Sequence, residues 1–349
     1  MQAKEINANR HKKSPVLKRV ISIRGMGQVI SVTVAFIIMF LVFSQINDNF
    51  ASGDNIFNLL RQIAPILIIG IGQTFVLITG GIDLSIGSVA GMSCMLSATL
   101  MTKYSMNPVT ATLLTMICCI LVGFLNGFLV SKTKLPAFIA TLGTMIIARG
   151  IAQLVNGNRN TDGISSSIFK DLFYYEKTAG VYNTIWLALI LFLIFAFILS
   201  KTCAGRHTYA IGSNYEAAKL SGVNVALAEM RVYIFSSFLA GVVGLILTAQ
   251  SGMGTMDAGN GYELNAVAAS VIGGVSTMGG QGLLIGTVIG SCIWGVLENG
   301  LTFAGSPLAL RNIVIGIVVI ISVLIDRIAR GNIGGVKKLF KGNHKTDRN

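Results

Sequence analysis

The stretch TFVLITGGIDLSIGSVAG, Thr74 to Gly91, decides how this chain is read. It is an apolar run broken at Gly80-Gly81, with one carboxylate, Asp83, just past the break. Paired glycines let the backbone leave helical geometry. Irregular backbone at membrane depth is tolerated only against protein or a water-filled path. A carboxylate there is costly and is kept where it meets water, a partner or a backbone terminus. The stretch reads as a turning point within a transport protein, with Asp83 capping a helix that starts near Leu84 and facing its positive end.

Composition points the same way. The 349 residues are 53% hydrophobic and 12% charged, against roughly 25% charged in a typical soluble domain. Forty glycines and five prolines suggest close helix packing. Apolar runs long enough to cross a ~30 Å hydrocarbon layer lie near 27–46, 59–79, 86–102, 108–131, 136–155, 182–200, 230–250, 262–279, 284–304 and 310–326. The expected fold is an all-α polytopic membrane protein with about ten transmembrane helices. The segments 86–102 and 262–279 are short and glycine-rich, so either could be a re-entrant half-helix. One membrane domain, 27–326, would lie between basic tails at 1–26 and 327–349.

The formal charge of +13 is concentrated at the ends: seven Lys/Arg precede Gly25 and seven follow Asp326. No aromatic platform accompanies them, which argues against single-stranded nucleic acid as a partner. Basic clusters flanking apolar spans are what the positive-inside rule places in the cytoplasm. Alternating the spans puts Lys132, Lys134, Lys201, Arg206 and Lys219 on the same side as both tails, leaving only Lys103, Arg159, Lys170 and Lys177 opposite. Both termini and the 201–229 loop are therefore expected in the cytoplasm, and the polar Asn156–Tyr182 loop outside. The first run follows a basic segment like a signal peptide, but it is ~20 residues long without a small-residue cleavage site and reads as an uncleaved anchor.

Chemistry-bearing sets are sparse. Of the five cysteines, only Cys203 lies outside an apolar span, and no metal-ligand spacing occurs. No G-x-x-x-x-G-K-S/T phosphate loop is present, and the three histidines fall in tails or the 201–229 loop. No nucleophile–base–orienter set can be assembled, so a catalytic site is not expected. Asp83, Arg149, Glu263 and Glu298 read as structural charges at or near span ends. Gln73, Thr79, Asn126, Phe138, Thr141, Asn265 and Asn299 are polar or aromatic groups near span centres or breaks, and so are candidates to line a path. A second break, at Gly273-Gly274, echoes the first. Gly87/Gly91, Gly123/Gly127 and Gly282/Gly286/Gly290 repeat at the four-residue spacing that brings helices close.

Within the 201–229 loop, SNYEAAKLSGVNV (213–225) carries helix signals. Ser213 followed three residues later by Glu216 is a capping-box pattern. Ala217, Ala218, Lys219 and Leu220 favour helix, and Gly222 suits a C-terminal cap. The prediction is a helix of about two turns, too short to stand alone.

Glu216-Ala217-Ala218 followed by Gly222 resembles the E-A-A-x-x-x-G motif of permease subunits in bacterial ABC importers. GGIDLSIGS (80–88), LPAFIATLGTM (135–145), GYELNAVAASVIGGVSTMGGQG (261–282) and Asn299-Gly300 are similar to the ribose, xylose and galactoside permeases of that class. The resemblance runs from about Phe50 to Asp326. It implies a single permease domain that carries a monosaccharide across the bacterial cytoplasmic membrane. The helix built from Ser213, Glu216, Ala217, Ala218 and Gly222 would dock on a separate ATP-binding cassette ATPase. It also implies an extracytoplasmic sugar-binding protein and a second permease chain, identical or a close paralogue, all within membrane lipid. ATP and Mg would be bound by the partner ATPase, with no cofactor in this chain. The alternative is a self-sufficient secondary carrier or channel for a small polar solute.

Overall fold

A computed structural model describes residues 26–329, and both basic tails, 1–25 and 330–349, lie outside the described residues. The helices, in order, are α1 (Met26–Ile46), α2 (Gly53–Ile78), α3 (Ile86–Thr102), α4 (Pro108–Ser131), α5 (Ala137–Leu154) and α6 (Ser167–Lys170). A two-stranded antiparallel ladder, β1 (Lys177–Thr178) with β2 (Val181–Tyr182), interrupts them. Then follow α7 (Asn183–Lys201), α8 (Cys203–Ser213), α9 (Tyr215–Leu220), α10 (Val225–Ser251), α11 (Tyr262–Ile272), α12 (Leu284–Phe303) and α13 (Leu308–Ala329). The protein is an all-α polytopic membrane protein. Among the described residues, α1, α2, α4, α5, α7, α10 and α12 are long and apolar enough to cross a membrane.

The break expected at Gly273-Gly274 is where the run 262–279 leaves helical geometry, because α11 stops at Ile272. Gly274, with φ +91°, donates to the Val271 carbonyl at 2.9 Å, and Val275 N–H donates to Ser270 at 3.0 Å. This is the paired bonding of a Schellman stop, which needs a left-handed residue at its centre. The same stop ends α2 at Gly80 (φ +86°), where Gly80 N–H reaches Leu77 and Gly81 N–H reaches Val76. Both glycine breaks are thus helix terminators of one kind.

The connections sort onto two faces through their contacts. On the lower face, Gly280 N–H donates to the Ile78 carbonyl at 2.8 Å. The Tyr209 hydroxyl donates to the Gly282 carbonyl at 2.6 Å, and Lys134 bonds the Tyr215 hydroxyl. These join the loops 79–85, 132–136, 202–224 and 273–283. On the upper face, Gly254 N–H donates to Thr161 Oγ1 at 2.8 Å, Tyr175 donates to the Gln250 carbonyl at 2.9 Å, and Asn47 Nδ2 reaches Phe303 at 3.3 Å.

Helices α2 and α10 form the centre. Their apolar windows are 89% and 78% buried, against 6% for α1, which lies at the rim. Phe75, Phe195 and Phe235 meet edge to face, with centroids 5.4–5.8 Å apart, and fasten α2, α7 and α10 together. Helix α4 approaches α10 across Gly123 and Gly127. A Cβ at Gly127 would lie 2.7 Å from the Met230 Cα, so the close contact depends on the missing side chain. Large apolar side chains stay exposed along the outer sides of α4, α5 and α7, as a lipid-facing perimeter requires.

Candidate functional site

Three features stand out, two beside the helix breaks of the lower half and one on the upper face. The first is a junction on the lower face. The C-terminal end of α8 seats between the two breaks. A Cβ at Gly212 would overlap the Ile78 carbonyl and lie 2.5 Å from the Gly280 nitrogen. Only a bare backbone fits there. Burial pushes the Tyr209 phenol up to about 12, so it remains a donor to Gly282 throughout the physiological range.

Beyond the junction hangs α9. Here the expected capping box is corrected: Ser213 is the last residue of α8, and the cap is Asn214, whose Oδ1 accepts from Ala217 N–H at 2.9 Å. Asn214 has the extended backbone (φ −163°, ψ 105°) that an N-cap requires. Glu216 is then the second helical residue, one position short of the place from which a capping-box glutamate reaches back. Ser221 and Gly222 close the helix, with Gly222 at φ +82°. Its N–H donates to Lys219, and Val223 N–H donates to Ala218, in a third Schellman stop. Ala218 is buried against Ile211, Val225 and Ala228. Glu216, Ala217 and Lys219 face outward, and Leu220 is 87% exposed.

The second feature is a buried polar relay. Thr144 Oγ1 donates to Asn126 Oδ1 at 2.6 Å, and Asn126 Nδ2 donates to Ser85 Oγ at 2.9 Å. Ser85 Oγ donates to Asp83 Oδ1 at 2.6 Å, and Ser236 Oγ donates to Asp83 Oδ2 at 2.9 Å. Asp83 Oδ1 also accepts from Ser85 N–H at 2.9 Å. Helices α4, α5 and α10 are tied to the first break through this relay. The expected helix start is corrected by two residues: α3 begins at Ile86 with Ser85 as its cap position, and Asp83 satisfies a backbone donor ahead of it. Thr141 accepts from Leu84 N–H at 3.1 Å beside the relay.

The third feature is a polar cleft of about 330 Å³ opening on the upper face. Helix α2 contributes Arg61, Gln62, Pro65 and Ile66, and α11 contributes Tyr262 and Asn265. Glu298, Asn299 and Thr302 come from α12, Arg311 from α13, Gln250 from the end of α10, and Tyr174 from the upper loop. Pro65 lacks the N–H that would bond the Arg61 carbonyl within the helix, so that bond is missing at the cleft wall. Arg61 lies between two rings, 4.5 Å from the centroid of Tyr174 and 4.2 Å from that of Tyr182. Such stacking is worth ~0.5–2 kcal/mol per ring and latches the upper loop over the cleft. Asn299 accepts from Asn55 Nδ2 at 3.1 Å, which fixes its amide at the wall.

The sequence-marked path residues therefore separate. Asn265 and Asn299 meet in the cleft. Asn126 and Thr141 lie in or beside the buried relay, and Thr79 bonds its own helix through the Val76 carbonyl at 2.7 Å. Gln73 is fully buried, and neither amide atom has a partner among the described residues. Phe138 is 54% exposed on the perimeter. Arg149 donates to the Met256 and Ala258 carbonyls at 3.0 and 2.9 Å, bracing the upper loop 252–261. Sequence reasoning missed Arg61, Tyr174 and Tyr182. An arginine inside the otherwise apolar 53–78 segment was the available signal, since charge at membrane depth is rare without a purpose.

Many apolar helices around two terminated segments, a polar cleft on one face and an exposed short helix on the other define a polytopic membrane transport component. Residues 55–323 match the family model described as branched-chain amino acid transport system / permease component. The chain is 37% identical over 303 residues to the ribose import permease protein of Bacillus subtilis (strain 168), covering 87% of this chain and 94% of that one. Its identity to the ribose import permease protein of Haemophilus influenzae is 38% over 314 residues, covering 88% and 94%. To the fructose import permease protein of Rhizobium meliloti it is 32% over 276 residues, covering 77% and 76%. No solved structure matches. The chain belongs to this family of importer permeases.

Proposed function

We propose that this chain is the membrane-spanning permease subunit of an ATP-driven ABC importer that carries a monosaccharide, a ribose-like pentose or related sugar, into a bacterial cell. The observation that carries the reading is mechanical. Helix α9 projects from α8, and α8 seats directly on both terminated segments through Gly212. Displacement of α9 by a partner is thereby delivered to the two places where the transmembrane backbone is interrupted. Glu216, Ala217, Lys219 and Leu220 are all exposed, so the outer face of α9 is open to a partner.

In this reading the lower face is cytoplasmic, with both termini, and the upper face meets a sugar-binding protein. The chain makes ten passes, with α3 short and α11 completed by its irregular extension. It contains no ATPase site of its own: a partner ATPase binds ATP and Mg and docks on α9. A second permease chain, identical or closely related, completes the path. The ribose and fructose import permeases named above support the sugar class. Co-purification of the partner ATPase with wild type and with Glu216→Lys, alongside sugar uptake, tests the reading. Loss of both in the variant is expected. Normal uptake without any ATPase would favour a self-sufficient carrier instead.

A further inference from the structure

The connection from α10 to α11 does not stay at the surface. Residues 252–261 form neither helix nor strand and descend beside α3. A Cβ at Gly259 would lie 2.4 Å from the Gly87 carbonyl oxygen and 3.2 Å from the Gly91 nitrogen, so bare backbone meets bare backbone there. That part of α3 stands level with Gly241–Gly244 of α10. Ser93 Oγ donates to the Gly241 carbonyl at 2.7 Å, and a Cβ at Gly244 would lie 2.3 Å from the Ala90 oxygen. Since α10 ends at Ser251, this level is ~10–15 Å below its upper end at ~1.5 Å per residue. The 27 residues of α10 rise ~40 Å against a ~30 Å hydrocarbon layer. Gly259 therefore lies inside that layer.

The outer side of this segment is open. Asp257 and Asn260 are exposed, and Leu264, early in α11, is 64% exposed. Arg149, which holds the Met256 and Ala258 carbonyls, interacts electrostatically with Asp257 and Glu263. Irregular backbone at membrane depth is tolerated only against protein or water, and ionisable groups there face a partner or a water-filled path. Lipid is thus the wrong cover for this face. A soluble partner works on the upper or lower surface, whereas a face at this depth is covered by another membrane chain. We infer that the face of Asp257, Asn260 and Leu264 is the seam on which a second copy of this chain sits, with the two segments opposed across water about a two-fold axis. A two-fold contact uses the same patch on both subunits and closes as a dimer. This rests on the transport reading above and adds where the permease chains meet and that the partner chain is identical.

The test uses the full chain in lipid vesicles, with a nitroxide spin label attached through an encoded keto amino acid so that the native cysteines stay. Asn260 is labelled first, and Leu264 second in case the Asn260 variant does not fold. Leu193 on the outer side of α7, 58% exposed, is the lipid-facing reference. Collision with a water-soluble nickel chelate should exceed collision with oxygen at 260 and 264, and the order should reverse at 193. Dipolar coupling between identical labels on two copies should give a shorter distance at 260 and 264 than at 193. Three results would each overturn the seam: an oxygen-dominated profile at 260 and 264, no coupling between copies at those positions, or a longer distance there than at 193. The absence of coupling with a nickel-dominated profile would assign the face to a different membrane chain or to a path within one copy. ATP-dependent uptake by unlabelled protein in the assembled importer separates the two readings. Intact uptake with any of the three results removes the seam alone, whereas absent uptake removes the transport reading.

Discussion

Asp83→Leu and Asp83→Asn separate a structural carboxylate from a transporting one. Asp83 is fully buried and accepts three hydrogen bonds, from Ser85 N–H at 2.9 Å, Ser85 Oγ at 2.6 Å and Ser236 Oγ at 2.9 Å. In the leucine variant the Ser85 N–H has no alternative acceptor along the helix, because it precedes the first turn of α3. One buried unsatisfied donor costs ~1–3 kcal/mol. The two hydroxyls lose less, since each can turn to a nearby carbonyl, at ~0.5–1.5 kcal/mol apiece. The expected loss is therefore ~2–6 kcal/mol. Asparagine retains Oδ1 for both Ser85 bonds and turns an N–H₂ toward Ser236, whose hydroxyl can accept, so its cost stays near ~1 kcal/mol. Thermal unfolding of the two variants in detergent should rank them wild type, Asn, then Leu. Uptake should follow the same order, with Asp83→Asn largely active. Equal destabilisation by both changes would refute the hydrogen-bond account. Loss of transport in both with unfolding temperatures unchanged would assign Asp83 to the transport step instead.

Further expectations concern the junction and the coupling helix. Gly222→Val forces a β-branched residue to φ +82°, a strongly disfavoured geometry, so α9 should fray and ATPase co-purification should fall while membrane insertion holds. Glu216→Lys sets a positive charge against the positive helix end, and the ATPase rate stimulated by sugar should drop more than the basal rate. Gly212→Ala places a Cβ on the Ile78 carbonyl and should reduce uptake at least tenfold without preventing ATPase binding, which an uptake-to-pulldown ratio reads directly. Tyr209→Phe removes only the bond to Gly282, at ~1 kcal/mol; it should loosen coupling modestly and leave the pH profile flat between 6 and 9.

Much of the architecture could be read from apolar run lengths, because a span in lipid must be both continuous and hydrophobic. Helices α4, α5 and α7 fall within a residue of their expected bounds for that reason. Hydropathy draws 262–279 as one run, and the stop within it is legible only in the Gly273-Gly274 pair. Hydropathy does not distinguish Ser213 from Asn214 as a cap, since both residue types serve and the choice turns on where α8 ends. Asn126 and Asn299 looked alike in sequence, each followed by glycine. Tertiary placement sends one into the Asp83 relay and the other into the cleft. The cleft itself was illegible: its walls come from α2, α11, α12, α13 and the upper loop, joined only by the fold. The stacking of Arg61 between Tyr174 and Tyr182 spans more than a hundred residues of sequence, beyond the reach of any local pattern.

The most direct test of the central claim is sugar accumulation in proteoliposomes assembled from purified parts, with and without the partner ATPase, the binding protein and ATP. The account predicts accumulation only when all three are supplied, with this chain alone inert under imposed proton and sodium gradients. Sugar uptake by this chain alone, driven by either gradient or running passively to equilibrium, would contradict it.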